Sequence, residues 1–445
     1  MLKLLFADER GQVYEHPELL ALTGAGDPAL PLELPSPLPA HATLAALPGR
    51  RPLGFDPARG QIVELTDFRM GRKLLRPSAV AAVLPPGWTR SELPAFRKSA
   101  IAPILPQWAY TAAAWDDEAS AHVAWALHTD KRTHWDPAAH STPDLPQRVE
   151  RRLQRDDNHL LRQLAKCALE YRCFTAQNTF YQRDEGAIPA SSGCNARCVG
   201  CISEQPEDGP PASHQRLARS PDAELMASIG AFHLRVAPGR TMVSFGQGCE
   251  GEPLTRAREI AHAIRAMREE TGRGSININT NGSLPESLAL LIDAGLDACR
   301  ISLNSAHKPL YEAYYQPINY GWEEVRESIR LARRRGVYTA INLLSFPGVT
   351  DEEGEAEKLC ELVASERIDQ VQARSLAIDP DQYLAVARGH SAGGPRLGLR
   401  ELLRRLKRAR KGLVIGNFAR GLEERAGSRA SGLGLRTRQA RLRPA

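Results

Sequence analysis

The chain has 445 residues, of which 42% are apolar and 25% are charged. At about 100 to 200 residues per domain, this length predicts two or three domains. No stretch of about 18 apolar residues occurs in the sequence, so we expect no membrane-spanning segment. Because Lys3 and Asp8 interrupt the apolar start of the chain, a signal peptide is not expected, and the sequence favours a cytoplasmic protein.

The formal net charge of +6 is distributed unevenly along the chain. Residues 401–445 contain thirteen Arg and Lys against three Glu and carry +10, so residues 1–400 carry −4. Clustered positive charge binds nucleic-acid phosphates, but charge runs are more often solvated chain ends. We predict a basic, disordered tail over residues 421–445. Contact of this tail with RNA or with a protein stays open.

Residues 1–144 are predicted to form a β-rich module. The first 150 residues hold 18 of the 32 prolines, and proline disfavours regular helices. A weak internal repeat relates residues 6–15 (FADERGQVYE) to residues 55–64 (FDPARGQIVE). Each copy has an Arg-Gly turn between short apolar runs, which indicates a β-hairpin. A third hairpin is predicted over residues 110–127.

The remainder of the chain is predicted to be α/β. Residues 145–186 form a connecting segment, because leucines recur at helical spacing between residues 145 and 173. Strands and helices then alternate over a core of residues 187–385, which implies right-handed crossovers and a parallel sheet. A further helix and strand follow over residues 386–420. The predicted strands of the core are 187–192, 241–246, 275–280, 298–303, 338–345 and 369–375, and its predicted helices are 254–271, 285–294, 322–335 and 352–365.

One face of the predicted sheet is polar, whereas a parallel strand buried on both faces is normally a continuous apolar run. The polar or small residues at alternate positions are Ser244, Gly246, Asn277, Asn279, Asn281, Arg300, Ser302, Asn304, Asn342, Gln372 and Arg374. We therefore expect a barrel-like sheet around a polar cavity. Within it, Arg300 and Arg374 would either bind an anionic partner or form ion pairs inside the barrel.

Three of the eight cysteines lie in one short segment, CNARCVGC, directly after the first predicted core strand. Three thiolates at this spacing can surround one face of a metal ion or cluster. A structural zinc ion takes four ligands, whereas a 4Fe-4S cluster held by three cysteines keeps one iron open for a substrate or cofactor. Because His214 could supply a fourth zinc ligand, a zinc-binding protein that binds nucleic acid through its basic tail is the alternative.

With these residues, the chain resembles radical S-adenosylmethionine (SAM) enzymes, whose C-x3-C-x2-C loop follows the first strand of a partial (β/α)6 barrel. Further family elements occur in the expected order between residues 187 and 379. They are Gly251-Glu252-Pro253, Thr280-Asn281-Gly282, the segment 295–304, and Phe346-Pro347-Gly348-Val349-Thr350-Asp351. The subfamily is not identified. The resemblance implies a partial (β/α)6 TIM-like barrel that carries one 4Fe-4S cluster on Cys194, Cys198 and Cys201.

The resemblance also implies how SAM is bound. Gly251 and Glu252 match the element that holds the SAM amino group. The other positions predicted to contact SAM are Asn281, Ser302, Asn304 and Arg374. The family usually has an aromatic residue before the third cysteine, and Gly200 stands there in this chain, so the adenine contact is unassigned. Cys249 is a candidate hydrogen-atom donor or cofactor contact, although its place in a glycine-rich turn favours a small turn thiol.

The implied activity is reductive cleavage of SAM to a 5′-deoxyadenosyl radical, which then abstracts hydrogen from an unidentified substrate. The cofactor supplies this chemistry, while the protein orients the reactants and excludes side reactions. The cluster would take its electron from a reducing donor such as flavodoxin or ferredoxin. A partner protein is an alternative target of the radical.

Overall fold

Antiparallel strands fill the first third of the chain. A computed structural model describes residues 1–422 and residue 424, and its N-terminal strands are β1 (Leu2–Ala7), β2 (Val13–Ala21), β3 (Ser36–Pro37), β4 (Thr43–Leu47), β5 (Arg50–Asp56), β6 (Gln61–Glu64), β7 (Phe68–Met70), β8 (Lys73–Leu75), β9 (Ser78–Val83), β10 (Trp88–Arg90), β11 (Phe96–Lys98), β12 (Ala113–Asp116), β13 (Ala121–Ala124) and β14 (Ala126–His128). Ten of these strands share one sheet, whose main path runs β11-β5-β2-β1-β12-β13-β3. The pairs β7-β8 and β10-β14 form separate ribbons.

The three predicted hairpins are confirmed, since β1 pairs with β2, β5 with β6, and β12 with β13, all antiparallel. An aspartate stabilises each turn. The carboxylates of Asp8, Asp56 and Asp116 each accept a hydrogen bond from the backbone N–H two residues later. In the two repeated turns, Gly11 and Gly60 adopt φ of 79° and 66°, the left-handed region in which glycine is favoured.

Three short helices follow, where the leucine spacing predicts one continuous helix between residues 145 and 173. They are α1 (Leu145–Arg155), α2 (His159–Leu169) and α3 (Phe174–Tyr181). The prediction of one helix was wrong because Asn158 caps a new helix, accepting a hydrogen bond from the Leu161 backbone N–H at 2.9 Å. An Asn cap starts a helix locally, and the apolar periodicity does not reveal it.

The core alternates strands and helices. Its elements are β15 (Glu185–Ala187), α4 (Ala223–Val236), β16 (Met242–Phe245), α5 (Ala257–Glu270), β17 (Ser275–Thr280), α6 (Pro285–Ala294), β18 (Ala298–Leu303), α7 (Lys308–Tyr315), α8 (Trp322–Arg334), β19 (Tyr338–Ser345), α9 (Glu353–Ser365), β20 (Gln370–Ser375), α10 (Pro380–Ala387), α11 (Leu399–Ala409) and β21 (Val414–Gly416). The seven strands form one parallel sheet in sequence order, β15 to β21. The predicted parallel α/β core is thereby confirmed.

The parallel sheet curls into a half-barrel. Glu185 on β15 and Arg300 on β18 lie three strands apart, which corresponds to about 14 Å in a flat sheet. Their side chains nevertheless meet, with Nη2 and Oε1 3.3 Å apart. Arg300 also donates from Nη1 to Gln372 Oε1 on β20 at 2.9 Å. The inward-facing side chains of distant strands are therefore neighbours.

The core differs from the prediction in four places. The first strand covers Glu185–Ala187 instead of residues 187–192, because the chain beyond it turns away toward the β16–α5 connection. Helices α4, α7 and α10 were not predicted. In α4, the pattern is interrupted by Gly230, which lowers helix propensity. A Cβ at this position would lie 2.2 Å from Met267 Sδ, so the glycine allows α4 to pack closely on α5.

The N-terminal strands are joined to the core at the end of β20. Arg50 Nη2 donates to Asp379 Oδ2 at 2.6 Å, and both side chains are fully buried. Asp379 Oδ2 also accepts the Leu105 backbone N–H at 2.8 Å. The buried Arg90 guanidinium donates to the Leu376 carbonyl at 3.0 Å. The N-terminal region therefore covers the edge at which β20 ends.

The C-terminal elements α11 and β21 fall within the predicted helix and strand over 386–420. Of the tail predicted over 421–445, residue 423 and residues 425–445 lie outside the described residues. None of the helices in the described part of the chain has the length and hydropathy needed to cross a membrane.

Replacing Arg50 with Met should destabilise the protein by about 3–5 kcal/mol, because Asp379 would remain buried without its main cation. The neighbouring Arg51 is a matched control, since its side chain is 54% exposed in an ion pair with Glu64. Exposed pairs contribute about 0.2–1 kcal/mol. Urea unfolding of R50M and R51M measures both losses, and equal losses would show that the buried pair does not join the two regions.

Candidate functional site

The loop that carries the three cysteines lies between β15 and α4 and is fastened through its backbone. Val199 donates its N–H to the Tyr314 carbonyl at 3.0 Å, and the Asn195 carbonyl accepts from Ile318 N–H at 2.9 Å. These bonds attach the loop to the end of α7 and the chain after it. The cysteines, all free and partly buried, are Cys194, Cys198 and Cys201.

A second segment, residues 251–252, is hydrogen-bonded to the start of this loop, and we call it the clasp. Gly251 N–H donates to the Ser191 carbonyl at 2.8 Å, and Glu252 N–H donates to the Gly193 carbonyl at 2.9 Å. A Cβ on Gly251 would lie 1.9 Å from the Gly193 oxygen. Only glycine allows the two backbones to approach this closely.

The Glu252 carboxylate is buried and accepts three hydrogen bonds. Its donors are Leu254 N–H at 2.9 Å, Thr280 Oγ1 at 2.5 Å and Asn281 N–H at 2.8 Å. Burial raises the pKa of Glu252 to about 7 despite these donors. The carboxylate thus ties the β16–α5 connection to the C-terminal end of β17.

Glu250 is a site residue that the sequence reasoning missed. Its Oε2 accepts the backbone N–H groups of Ala190 at 2.7 Å and Ser191 at 2.9 Å, and its Oε1 accepts Gln247 N–H at 2.6 Å. Burial raises the pKa of Glu250 to about 7. The available signal was an acidic residue directly before Gly251 in the turn after β16. Glu250 draws the chain before the cysteine loop toward the clasp.

The predicted residue Asn281 contacts the cysteine loop directly. Its Nδ2 donates to Asn195 Oδ1 at 2.9 Å, and Asn195 Nδ2 in turn donates to Ser283 Oγ at 2.9 Å. The structure therefore brings Gly251, Glu252 and Asn281 together around the first half of the loop.

Two further predicted residues, Ser302 and Asn304, lie at the end of β18. Ser302 Oγ accepts from Asn342 Nδ2 at 3.3 Å. Asn304 is fully buried and donates from Nδ2 to Tyr383 Oη at 3.1 Å. Its Oδ1 has no hydrogen-bond partner among the described residues. The structure does not bond either side chain to the cysteine loop.

Polar groups that sequence reasoning missed surround Cys201. Arg216 Nη2 and Ser203 Oγ each lie 3.6 Å from its Sγ. Gln107, from the N-terminal region, donates from Nε2 to the Cys201 carbonyl at 3.0 Å. Arg216 and Gln107 come from parts of the chain that share no motif with the cysteine loop, so sequence spacing could not identify them.

Gly200 leaves space for a tyrosine from α7. A Cβ at position 200 would lie 2.8 Å from the Tyr314 hydroxyl oxygen. Tyr314 is 2% exposed, and burial, with Cys198 close by, raises its pKa well above the usual value. An aromatic ring therefore stands beside the third cysteine although position 200 has no side chain.

The donor chemistry of the loop fits an iron–sulfur cluster, which is held by cysteine thiolates. Burial and the neighbouring thiols Cys201 and Cys194 raise the pKa of Cys198. Within residues 1–422 and 424, no three His, Cys, Asp or Glu side chains are close enough to hold a metal ion as they stand. His214 packs edge-on against Tyr171, and nothing supports the zinc alternative.

Cys249, the candidate hydrogen-atom donor, is only 3% exposed. A hydrogen bond with Cys167, together with burial, raises the pKa of the Cys249 thiol. Cys167 belongs to helix α2. The Cys249 thiol is therefore packed between the turn after β16 and the connecting helices.

The polar face of the sheet is a network of bonded side chains. Asn277 Nδ2 donates to Ser244 Oγ at 3.0 Å, and Ser244 Oγ donates to Glu185 Oε1 at 2.5 Å. Arg300 Nε donates to Asn279 Oδ1 at 2.5 Å. Arg300 thus forms the predicted ion pair inside the barrel. Among the described residues, Arg374 on β20 has no comparable partner.

Replacing Gly200 with Ala should destabilise the protein by about 1–3 kcal/mol, because the added methyl group meets the Tyr314 hydroxyl. Replacing Tyr314 with Phe removes that oxygen, so the Gly200→Ala change should cost less in the Tyr314→Phe background. Thermal unfolding of the two single variants and the double variant measures this coupling. Additive losses would contradict the described contact.

The comparisons with known proteins are consistent with this geometry. Residues 188–360 match the family model described as the radical SAM superfamily. Among curated proteins, no sequence matches the chain.

Several solved structures are similar to parts of the chain. The structure of anSMEcpe with bound AdoMet is 16% identical, covers 43% of this chain and 52% of its own, and has a TM-score of 0.35. *Streptococcus suis* SuiB bound to S-adenosylmethionine is 13% identical over 61% of this chain and 60% of its own, with a TM-score of 0.35. Methylornithine synthase (PylB) is 14% identical over 60% of this chain and 73% of its own, with a TM-score of 0.36.

The chain spans about half the length of the anSMEcpe structure that it matches. The family match itself begins directly after β15 and includes the cysteine loop, the clasp and Asn281. The chain therefore contains a radical SAM domain over residues 188–360.

Proposed function

We propose that the protein is an enzyme that holds one 4Fe-4S cluster on Cys194, Cys198 and Cys201 and cleaves SAM reductively. The observation that carries this proposal is the position of three free thiols on a loop clasped by Gly251 and Glu252, within the radical SAM domain. When bound, the cluster would supply the electron that converts SAM into methionine and a 5′-deoxyadenosyl radical.

The residues around the loop would orient and stabilise the cluster ligands. Arg216 lies beside Cys201 Sγ, where its positive charge offsets the negative charge of a thiolate. The Gly251 clasp and the Glu250 carboxylate fix the backbone before Cys194. Groups that contact metal ligands in this way orient the ligands and tune the metal.

The proposed SAM contacts divide into two groups. The side chain of Glu252 is already bonded to three donors, so its role is to position the segment that Gly251 and Asn281 present to SAM. At the end of β18, Ser302 and Asn304 would contact another part of the cofactor. The unpartnered Oδ1 of Asn304 can accept a hydrogen bond from a donor in that part, such as a ribose hydroxyl.

A carbon radical attacks the nearest C–H bond, so the substrate must be fixed and water excluded. We propose that the N-terminal strands form a module that helps to enclose the site. The hydrogen bonds from Gln107 to the Cys201 carbonyl and from Arg90 to the Leu376 carbonyl support this role.

We also propose a cytoplasmic location, where thiols stay reduced. A reducing donor such as flavodoxin or ferredoxin would supply the electron.

A separate proposal concerns the basic tail, most of which lies outside the described residues. The charge of residues 401–445 supports contact with RNA or with an acidic protein surface. The substrate of the radical is unidentified, and RNA or a protein bound by the tail is a candidate.

Anaerobic reconstitution tests the proposed chemistry. The wild-type protein should bind about four irons per chain and release 5′-deoxyadenosine with dithionite and SAM. In Cys198→Ala the iron content and the 5′-deoxyadenosine release should both fall to background, because the two remaining thiolates are too few to hold the cluster. Cys360→Ala is the matched control, since Cys360 lies on α9 away from the loop, and it should resemble the wild type. Unchanged SAM cleavage in Cys198→Ala would refute the assignment.

Removing residues 425–445 deletes six arginines and should weaken RNA binding, with a shallower dependence of affinity on salt. Retention of a labelled RNA at two salt concentrations measures this effect. A full-length variant with the same six arginines changed to glutamine controls for chain length and should bind equally weakly. Undiminished RNA binding by both variants would dismiss the tail as a nucleic-acid contact.

A further inference from the structure

Two arginines project from the inner face of the core sheet, and their surroundings differ. Arg300 is bonded to Asn279, Gln372 and Glu185. The Arg374 guanidinium has no hydrogen bond or ion pair with any described residue. Its Nε is buried without a partner, and its nearest aromatic contact is the Phe418 ring, 5.7 Å from the guanidinium carbon.

The acidic groups near Arg374 are already engaged. Glu185 accepts hydrogen bonds from Arg300 and Ser244. Asp130 is bonded to Arg132 at 2.7 Å and accepts the Asn417 backbone N–H at 2.9 Å. Glu185 and Asp130 therefore act on Arg374 only at longer range, and within the described interior no carboxylate forms an ion pair with it.

This charge persists at neutral pH. Burial, together with the like charge of Arg300, lowers the pKa of Arg374 to about 10, which still leaves the guanidinium protonated. Arg374 is partly buried, and its Nε is fully buried, so holding its charge without a hydrogen-bonded partner costs free energy. A bound anion would remove this cost, because a guanidinium binds carboxylate and phosphate groups through paired N–H donors.

A second donor stands beside Arg374. Gln372 precedes it by two residues on β20, so the two side chains share one face about 7 Å apart along the strand. Gln372 is fully buried, and its Oε1 accepts from Arg300 while its Nε2 has no acceptor within the described part of the chain. An anion between these positions would receive N–H donors from both side chains.

We propose that Arg374, with Gln372 beside it, forms a subsite inside the barrel that binds a negatively charged group of the substrate, a carboxylate or a phosphate ester. This inference rests on the proposed function, and it assigns to the substrate a residue that the sequence predicts as a SAM contact. The position of Arg374 supports this change, because Gly251, Glu252 and Asn281 gather at β16 and β17, whereas Arg374 lies on β20 beside Phe418.

Thermal unfolding of the reconstituted full-length protein with saturating SAM tests the subsite. Sodium acetate and inorganic phosphate serve as probes, titrated at constant ionic strength against chloride. At least one probe should raise the Tm saturably, as a ligand that binds only the folded state does. In Arg374→Gln this rise should vanish. Arg388→Gln, which alters an exposed arginine at the end of α10, should keep it.

Two further readouts separate an anion site from a structural role. Without added anion, Arg374→Gln should unfold at the same temperature as the wild type or a higher one, because a partly buried charge without a hydrogen-bonded partner is gone. Arg374→Lys keeps the charge but loses the paired donors, so it should bind the probes more weakly than the wild type.

Three results would overturn the proposal. The first is the absence of any saturable anion effect on the Tm of the wild type, and the second is an undiminished effect in Arg374→Gln. The third is a loss of SAM affinity of tenfold or more in Arg374→Gln, which would show that Arg374 binds SAM. Iron content and 5′-deoxyadenosine release, measured on the same preparation, test the proposed function separately. If anions raise the Tm but SAM is not cleaved, the anion site would be supported and the proposed radical chemistry would be refuted.

Discussion

The architecture of the site depends on one close approach between two stretches of backbone. Gly251 and Glu252 donate their N–H groups to the carbonyls of Ser191 and Gly193, at a separation that leaves no room for a side chain on Gly251. Glu250 strengthens the contact by accepting two N–H groups from the chain that leads into the cysteine loop. The loop has no helix or strand of its own at this point, so these bonds determine the position of Cys194.

A buried carboxylate on each side of Gly251 makes this clasp rigid. Glu250 holds the chain before the loop, and Glu252 holds the end of β17, from which Asn281 reaches Asn195 within the loop. Because the two carboxylates accept hydrogen bonds from segments that follow or end different strands, the cysteine loop, the turn after β16 and the end of β17 form one connected unit. Such a preorganised arrangement keeps ligands in place without further rearrangement.

Much of the core could be predicted from local patterns. Strands β17, β18 and β19 occur at the predicted residues, because their alternation of polar and apolar side chains reflects an interior with a polar face. The helices α4 and α7 and the break before α2 were missed, since Gly230 and Asn158 act through packing and capping that periodicity does not show. Glu250, Arg216 and Gln107 escaped prediction for a related reason, because their partners lie far away in sequence.

The central claim is that the clasped loop holds a cluster with one iron open to SAM. Electron paramagnetic resonance of the reduced, reconstituted protein tests this claim most directly, because SAM that binds the open iron changes the electronic environment of the cluster. The account predicts a cluster signal whose spectrum changes when SAM is added. A cluster signal that is identical with and without SAM, or no cluster signal after reconstitution, would contradict it.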